Sequence, residues 1–208
     1  MAAAAAADGT ETVFATPHVY PQGLQRREIE AAVVQFQQAV AEQGIPLTIL
    51  SGADCSSSLE LEELICHPLH NGPYLLVEFP HTHLPSHAPE QIFELVTKGN
   101  IPIITHPERN PDILREPELL VPLLESGGLV QLTAESLTGG FGADSRACSR
   151  HLLRRGWVHF LASDGHSASR RPPKLSDGLK VAQKIIGFES ARKLVVESPA
   201  RIISGEIW

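Results

Sequence analysis

His18, Asp54, Glu78, His106, Asp164 and His166 each stand at or just after the end of a short apolar run. Glu78 is the sharpest case, because it directly follows Leu75, Leu76 and Val77. A carboxylate there is costly to bury unpaired, and a metal or another cation relieves that cost. Imidazoles and carboxylates together suit Mn, Fe or Zn in mixed nitrogen and oxygen coordination. Each residue taken singly has an ordinary structural explanation: a strand-end histidine can be satisfied in a core, and Asp54 or Asp164 can cap a turn. All of them at strand ends argue for one shared site.

Arginines add a second theme. Arg109 closes His106-Pro107-Glu108-Arg109, and Arg170 and Arg171 follow Asp164-Gly165-His166. A guanidinium fork binds phosphate or carboxylate through two hydrogen bonds. Arginines this close to ligand candidates suggest an oxyanion held against metal, with surface salt bridges as the alternative. His81, His83 and His87 lie in a proline-rich loop, residues 79–90, and read more as substrate-loop residues over a mouth than as ligands. Cys66, His67 and His70 lack the second half of a zinc site. Cys148 to Arg154 matches the C-x5-R spacing of a cysteine phosphatase. No glycine lies between them to let backbone N–H groups splay round a phosphate, and the segment reads as continuous helix.

Alternating strands and helices must position these groups. Strand candidates are 12–15, 47–50, 74–77, 101–105, 129–133 and 158–162; helix candidates are 25–42, 89–98, 116–126, 144–155 and 176–186, followed by a polar helical tail. The alanine run after Met1 reads as the last turns of a helix with Gly9 beyond its end. This alternation implies right-handed crossovers and a parallel sheet, whose C-terminal strand ends converge on one face. Such units form an open sheet or a barrel, and the pattern alone favours neither. At 208 residues the chain is expected to be a single domain, 1–208. A net charge of −7 argues against a nucleic-acid partner. Three scattered cysteines read as reduced and cytoplasmic. No apolar run reaches the roughly 18 residues of a membrane span, so no membrane insertion is expected.

Five stretches carry a resemblance: ATPH (15–18), YLLVEFP (74–80), IPIITHPER (101–109), LVQLTAESLTGGFG (129–142) and HFLASDGHSASRRPP (159–173). In order and spacing, from about Thr12 to the C-terminus, they resemble the bacterial metal-dependent tyrosine-protein phosphatases of capsule and exopolysaccharide operons, within the polymerase-and-histidinol-phosphatase (PHP) superfamily. The closing ESPARIISGE (197–206) is similar to the family's tail. The resemblance implies a distorted (β/α)7 PHP-type barrel, a cluster of up to three divalent metals, most simply Mn, and hydrolysis of phosphotyrosine on the tail of a polysaccharide-export tyrosine kinase. It implies His18, Glu78, His106, Asp164 and His166 as metal ligands, Asp54 in place of a bridging glutamate, and Arg109 and Arg171 as the phosphate-holding catalytic residues. A homo-oligomer is compatible with it. The family opens with a strand carrying D-x-H-x-H, which has no counterpart here. The expectation is a domain truncated at its N-terminus, missing its first strand and some ligands. Two further readings stand beside an active phosphatase: a non-catalytic remnant that binds an anion or a kinase tail, and a small-molecule phosphoesterase acting on a compound such as histidinol phosphate.

Overall fold

The computed structural model describes residues 1–208. In chain order, helix α1 (Ala2–Ala7) leads through Asp8 and Gly9 into strand β1 (Thr12–Ala15), and β2 (His18–Val19) resumes after Thr16 and Pro17. Helix α2 (Arg26–Glu42) precedes β3 (Thr48–Ser51) and β4 (Asp54–Ser56), which are split at Gly52 and Ala53. Then come α3 (Leu61–Leu64), β5 (Tyr74–Glu78), α4 (Ala88–Thr97), β6 (Ile101–Thr105), α5 (Pro111–Arg115), α6 (Val121–Glu125), β7 (Leu129–Thr133), α7 (Ala134–Thr138) and α8 (Gly142–Arg154). Strand β8 (Phe160–Ala162) and helices α9 (Ser176–Ile186), α10 (Phe188–Lys193) and α11 (Glu197–Ser204) complete the chain. No helix is long and apolar enough to cross a membrane.

All strand pairing is parallel. The main sheet runs β2-β4-β5-β6-β7-β8, and β1 pairs with β3 in a short sheet beside it. With β1–β2 and β3–β4 taken as two bent strands, neighbours in space follow sequence order, as parallel strands with intervening helices require. The breaks at Pro17 and Gly52 bend two strands without ending their pairing. Gly52 N–H donates to the Ala15 carbonyl, and Asp54 N–H to that of Pro17. Sequence patterning places His18 and Asp54 just past strand ends; the structure corrects this and makes each the first residue of a resumed strand. The expected helix 116–126 also divides, into a 3-10 turn at Pro117–Leu120 and α6. Pro122 has no N–H to continue a helical ladder across that junction.

Side-chain alternation sorts the sheet into two faces. Leu75, Val77, Ile104, Val130, Leu132 and Leu161 join the large core against the helices. Tyr74, Leu76, Ile103, Leu129 and Phe160 form a smaller cluster with Leu69 and Ile202 on the other face. That second face carries the site. Glu78 continues the Tyr74–Leu76 row and Thr105 the Ile103 row, each two residues further along its strand. Asp54 is paired across from Leu76, and His18 from Asp54, so both share that side. The face is apolar at the N-terminal ends of the strands and becomes polar at their C-terminal ends.

The helices are held by ordinary local chemistry. Gln25 and Glu28 form a reciprocal capping box at the start of α2. Helix α4 buries Ala88, Ile92 and Leu95, spaced along one face. Helix α1 sets Ala2 and Ala5 against Val40, Leu47 and Ile49. Asp8, just past α1, accepts hydrogen bonds from the N–H groups of Leu175 and Ser176 and from the Ser176 hydroxyl. It thereby caps α9 from the opposite end of the sequence.

Candidate metal centre and anion cradle

Glu78 lies at the middle of the polar end of this face, buried to 5 % exposure. Its Oε2 is 3.2 Å from Nδ1 of His18, and its Oε1 is 3.2 Å from Nε2 of both His106 and His81. Asp54 Oδ2 stands 3.7 Å from His18 Nδ1 and 3.8 Å from His106 Nε2. Two groups of three potential ligands result, His18–Asp54–Glu78 and Glu78–His81–His106, each with its ligand atoms within 4.8 Å of one another. Glu78 belongs to both. The Thr105 hydroxyl donates to Asp54 Oδ1 at 3.1 Å, which orients that carboxylate and leaves Oδ2 facing the histidines.

The donor set fits a divalent cation. His18 Nδ1, His106 Nε2 and Glu78 Oε1 are buried, and none has a hydrogen-bond partner despite the short separations. The groups attract one another without directed hydrogen bonds. Buried polar atoms left so are costly unless another partner serves them. Burial alone would raise the Glu78 carboxyl, but the imidazoles of His106 and His18 outweigh it and hold the group well below the usual carboxylate range. Burial likewise works to lower His106, yet Asp54 and Glu78 push it up to about 9. His18 is raised, chiefly by Glu78. A cluster that draws protons onto its histidines demands positive charge, and a cation bound by nitrogen and oxygen donors meets that demand.

Asp164 takes a different position from the one its type suggests. Its Oδ2 lies 2.8 Å from an Arg109 terminal nitrogen and 2.5 Å from one of Arg171, while Oδ1 lies 3.4 Å from Nδ1 of His166. It belongs to neither ligand group, although the His166 ring sits 5.6 Å from that of His18 and ties the two clusters together. Arg170 makes no comparable ion pair, so of the two adjacent arginines it is Arg171 that faces the site. His106 and Asp164 hold φ angles of +36° and +49°, in the left-handed region that non-glycine residues seldom occupy. Strained backbone at two site residues is the pattern expected where geometry serves function.

Three participants escaped the sequence reading. The proline-rich loop favours a covering role for His81 over a ligand role, yet His81 reaches Glu78 and stacks on His106 with ring centroids 5.6 Å apart. Its signal was a position three residues beyond a strand-end glutamate. His83 and His87 do not join the ligand groups. Glu108 is fully buried; its Oε1 accepts from the Thr133 N–H and the Ser136 hydroxyl, pinning the turn that carries Arg109 to the start of α7. Phe141 places its ring beneath the guanidinium groups of Arg109 and Arg171. Cys148 lies buried inside α8, where burial pushes its thiol up to about 12. A thiol so protonated is no nucleophile.

The arrangement thus combines a cation-demanding carboxylate–histidine centre with two adjoining guanidinium groups. The chain is 36% identical over 196 residues to the tyrosine-protein phosphatase YwqE of Bacillus subtilis, covering 91% of this chain and 77% of that protein. It is 32% identical over 176 residues to the putative tyrosine-protein phosphatase CapC of Staphylococcus aureus, covering 81% and 68%. Tyrosine-protein phosphatase CpsB of Streptococcus pneumoniae matches at 24% over 210 residues, 96% of this chain and 86% of that one. Among solved structures, a chain from the crystal structures of YwqE from Bacillus subtilis and CpsB from Streptococcus pneumoniae, described as unique metal-dependent tyrosine phosphatases, superposes with a TM-score of 0.92 at 33% identity, over 100% of this chain and 86% of that one. The family model for capsular polysaccharide synthesis proteins CpsB/CapC matches residues 1–204, and the chain belongs to that family.

Proposed function

We propose that this chain is a metal-dependent protein-tyrosine phosphatase that controls capsule or exopolysaccharide synthesis by dephosphorylating the tail of a polysaccharide-export tyrosine kinase. One observation carries the reading: the Glu78 carboxylate is shared by two ligand groups, and the Arg109–Arg171 pair opens beside them. His18, Asp54, Glu78 and His106, with His81, would hold the metal, and Asp164 and His166 join the set at its arginine side. Mn is the preferred ion, with Fe or Zn as alternatives of the same donor chemistry. We further propose that residues 1–208 act as one domain in the cytoplasm. The sheet wound in sequence order supports the distorted PHP-type barrel that the sequence implies.

Divalent cations in such a centre supply positive charge for the phosphoryl oxygens and acidify water. The chain's own groups do the rest. Arg109 and Arg171 bind the phosphoryl oxygens and offset charge that develops as the phosphorus–oxygen bond breaks. Asp164 holds their terminal nitrogens, so the forks are set before substrate arrives. Proton transfer to the leaving phenolate adds little, because the pKa of a phenol is low. Glu108 keeps Arg109 in place through α7. No thiol takes part.

The test is direct. The purified 208-residue chain is loaded with Mn and assayed on a phosphotyrosine peptide and on histidinol phosphate. Bound metal with preferential turnover of the peptide supports the reading. Metal binding without turnover of either compound would leave a non-catalytic anion binder, and preference for histidinol phosphate a small-molecule phosphoesterase.

A further inference from the structure

Phe141 sits half-buried in the loop Gly139-Gly140-Phe141 between α7 and α8, whose first residue is Gly142. The guanidinium carbon of Arg109 lies 4.7 Å from its ring centroid and that of Arg171 lies 5.3 Å away. Both distances fall within the roughly 6 Å at which a cation is drawn to a ring face. The course of the loop depends on its glycines. Gly142 takes φ +95°, and a Cβ on Gly140 would stand 2.3 Å from the Glu135 side chain. Phe141 belongs to none of the three apolar clusters, so packing the core does not account for it.

Two guanidinium groups that converge on one Asp164 oxygen repel each other. The ring's negative face lies against both and relieves that repulsion. The buried Nε atoms of Arg109 and Arg171 have no hydrogen-bond partner. Asp164 takes one terminal nitrogen of each arginine, and the other, Nη1, makes no hydrogen bond within the chain and is left for an incoming oxyanion. We propose that Phe141 is a positioning residue that sets Arg109 and Arg171 as one phosphate cradle, acting through the arginines. The inference rests on the phosphate-holding role proposed above for those arginines.

Phe141→Leu keeps an apolar side chain and removes the π face; Phe141→Tyr restores it. Loss of two cation–π contacts is expected to weaken inorganic phosphate binding to the metal-loaded full chain about tenfold, read by titration calorimetry. KM for a phosphotyrosine peptide should rise by a similar factor. The melting temperature should stay close to that of the parent, and the tyrosine variant should recover most of the affinity. Arg109→Ala serves as the comparison. If it weakens phosphate binding while Phe141→Leu binds as the parent does, the Phe141 inference alone is wrong. If Arg109→Ala also binds phosphate normally, the arginine reading fails and takes this inference with it. Should the leucine variant misfold, the tyrosine variant decides: a tenfold loss of phosphate affinity although its π face is kept overturns the proposal.

Discussion

Glu78→Gln tests the centre at its shared point. The substitution keeps size and shape and removes one buried negative charge. Glu78 stands 3.2 Å from the His106 nitrogen, and a unit positive charge at a comparable distance is worth about 5 kcal/mol in an effective dielectric of about 20. Burying a carboxylate takes back several kcal/mol that a neutral amide does not incur. The net loss for a bound cation is then about 3 kcal/mol, or roughly a hundredfold in affinity. Both ligand groups lose a member together, because Glu78 lies in each. The expected result is a variant with a native circular dichroism spectrum that retains little metal after gel filtration, measured by plasma mass spectrometry. Its turnover of p-nitrophenyl phosphate should fall by at least two orders of magnitude. A variant that copurifies with the parent's metal content and hydrolyses the ester at a comparable rate would refute Glu78 as the common ligand.

Thiol alkylation should leave turnover intact while a chelator abolishes it, since Cys55 and Cys148 are buried with thiols pushed up to about 12 and only Cys66 is exposed; loss of activity on alkylation would return a cysteine to the mechanism. His159 supplies a pH-dependent contribution. Burial lowers it to about 4, and its Nδ1 accepts the Val130 N–H. A folded value below the unfolded one means that the stability is fully present above about pH 6.5 and is lost as pH falls toward 4, amounting to about 2–3 kcal/mol. In urea unfolding, His159→Gln, whose side-chain oxygen accepts without titrating, should lose less than the parent between those pH values; equal losses would contradict this. Asp8→Ala should lower the melting temperature by several degrees, as removal of a helix cap costs about 1–2 kcal/mol, because Asp8 alone meets the N–H groups of Leu175 and Ser176 from across the sequence; an unchanged value would show that cap to be idle.

The alternation of apolar runs and helical segments is legible in the residues alone, and with it a parallel sheet whose strand ends gather acids and histidines. The gathering shows because a carboxylate after Leu75, Leu76 and Val77 is anomalous wherever the strand lies. The five motifs also identified the family. Which of these groups meet depends on the folded chain. His81 became a neighbour of Glu78 because the loop after β5 turns back over the strand end, and loop direction has no periodic signal. Asp164 turned toward Arg109 and Arg171 through a left-handed backbone that its residue type does not announce. Phe141 acquired its place from glycines that permit the loop's course and from arginines about thirty residues away in either direction. Local patterning records which face a side chain takes; contacts between distant segments depend on how every intervening crossover packs, and that is settled only when the whole chain folds.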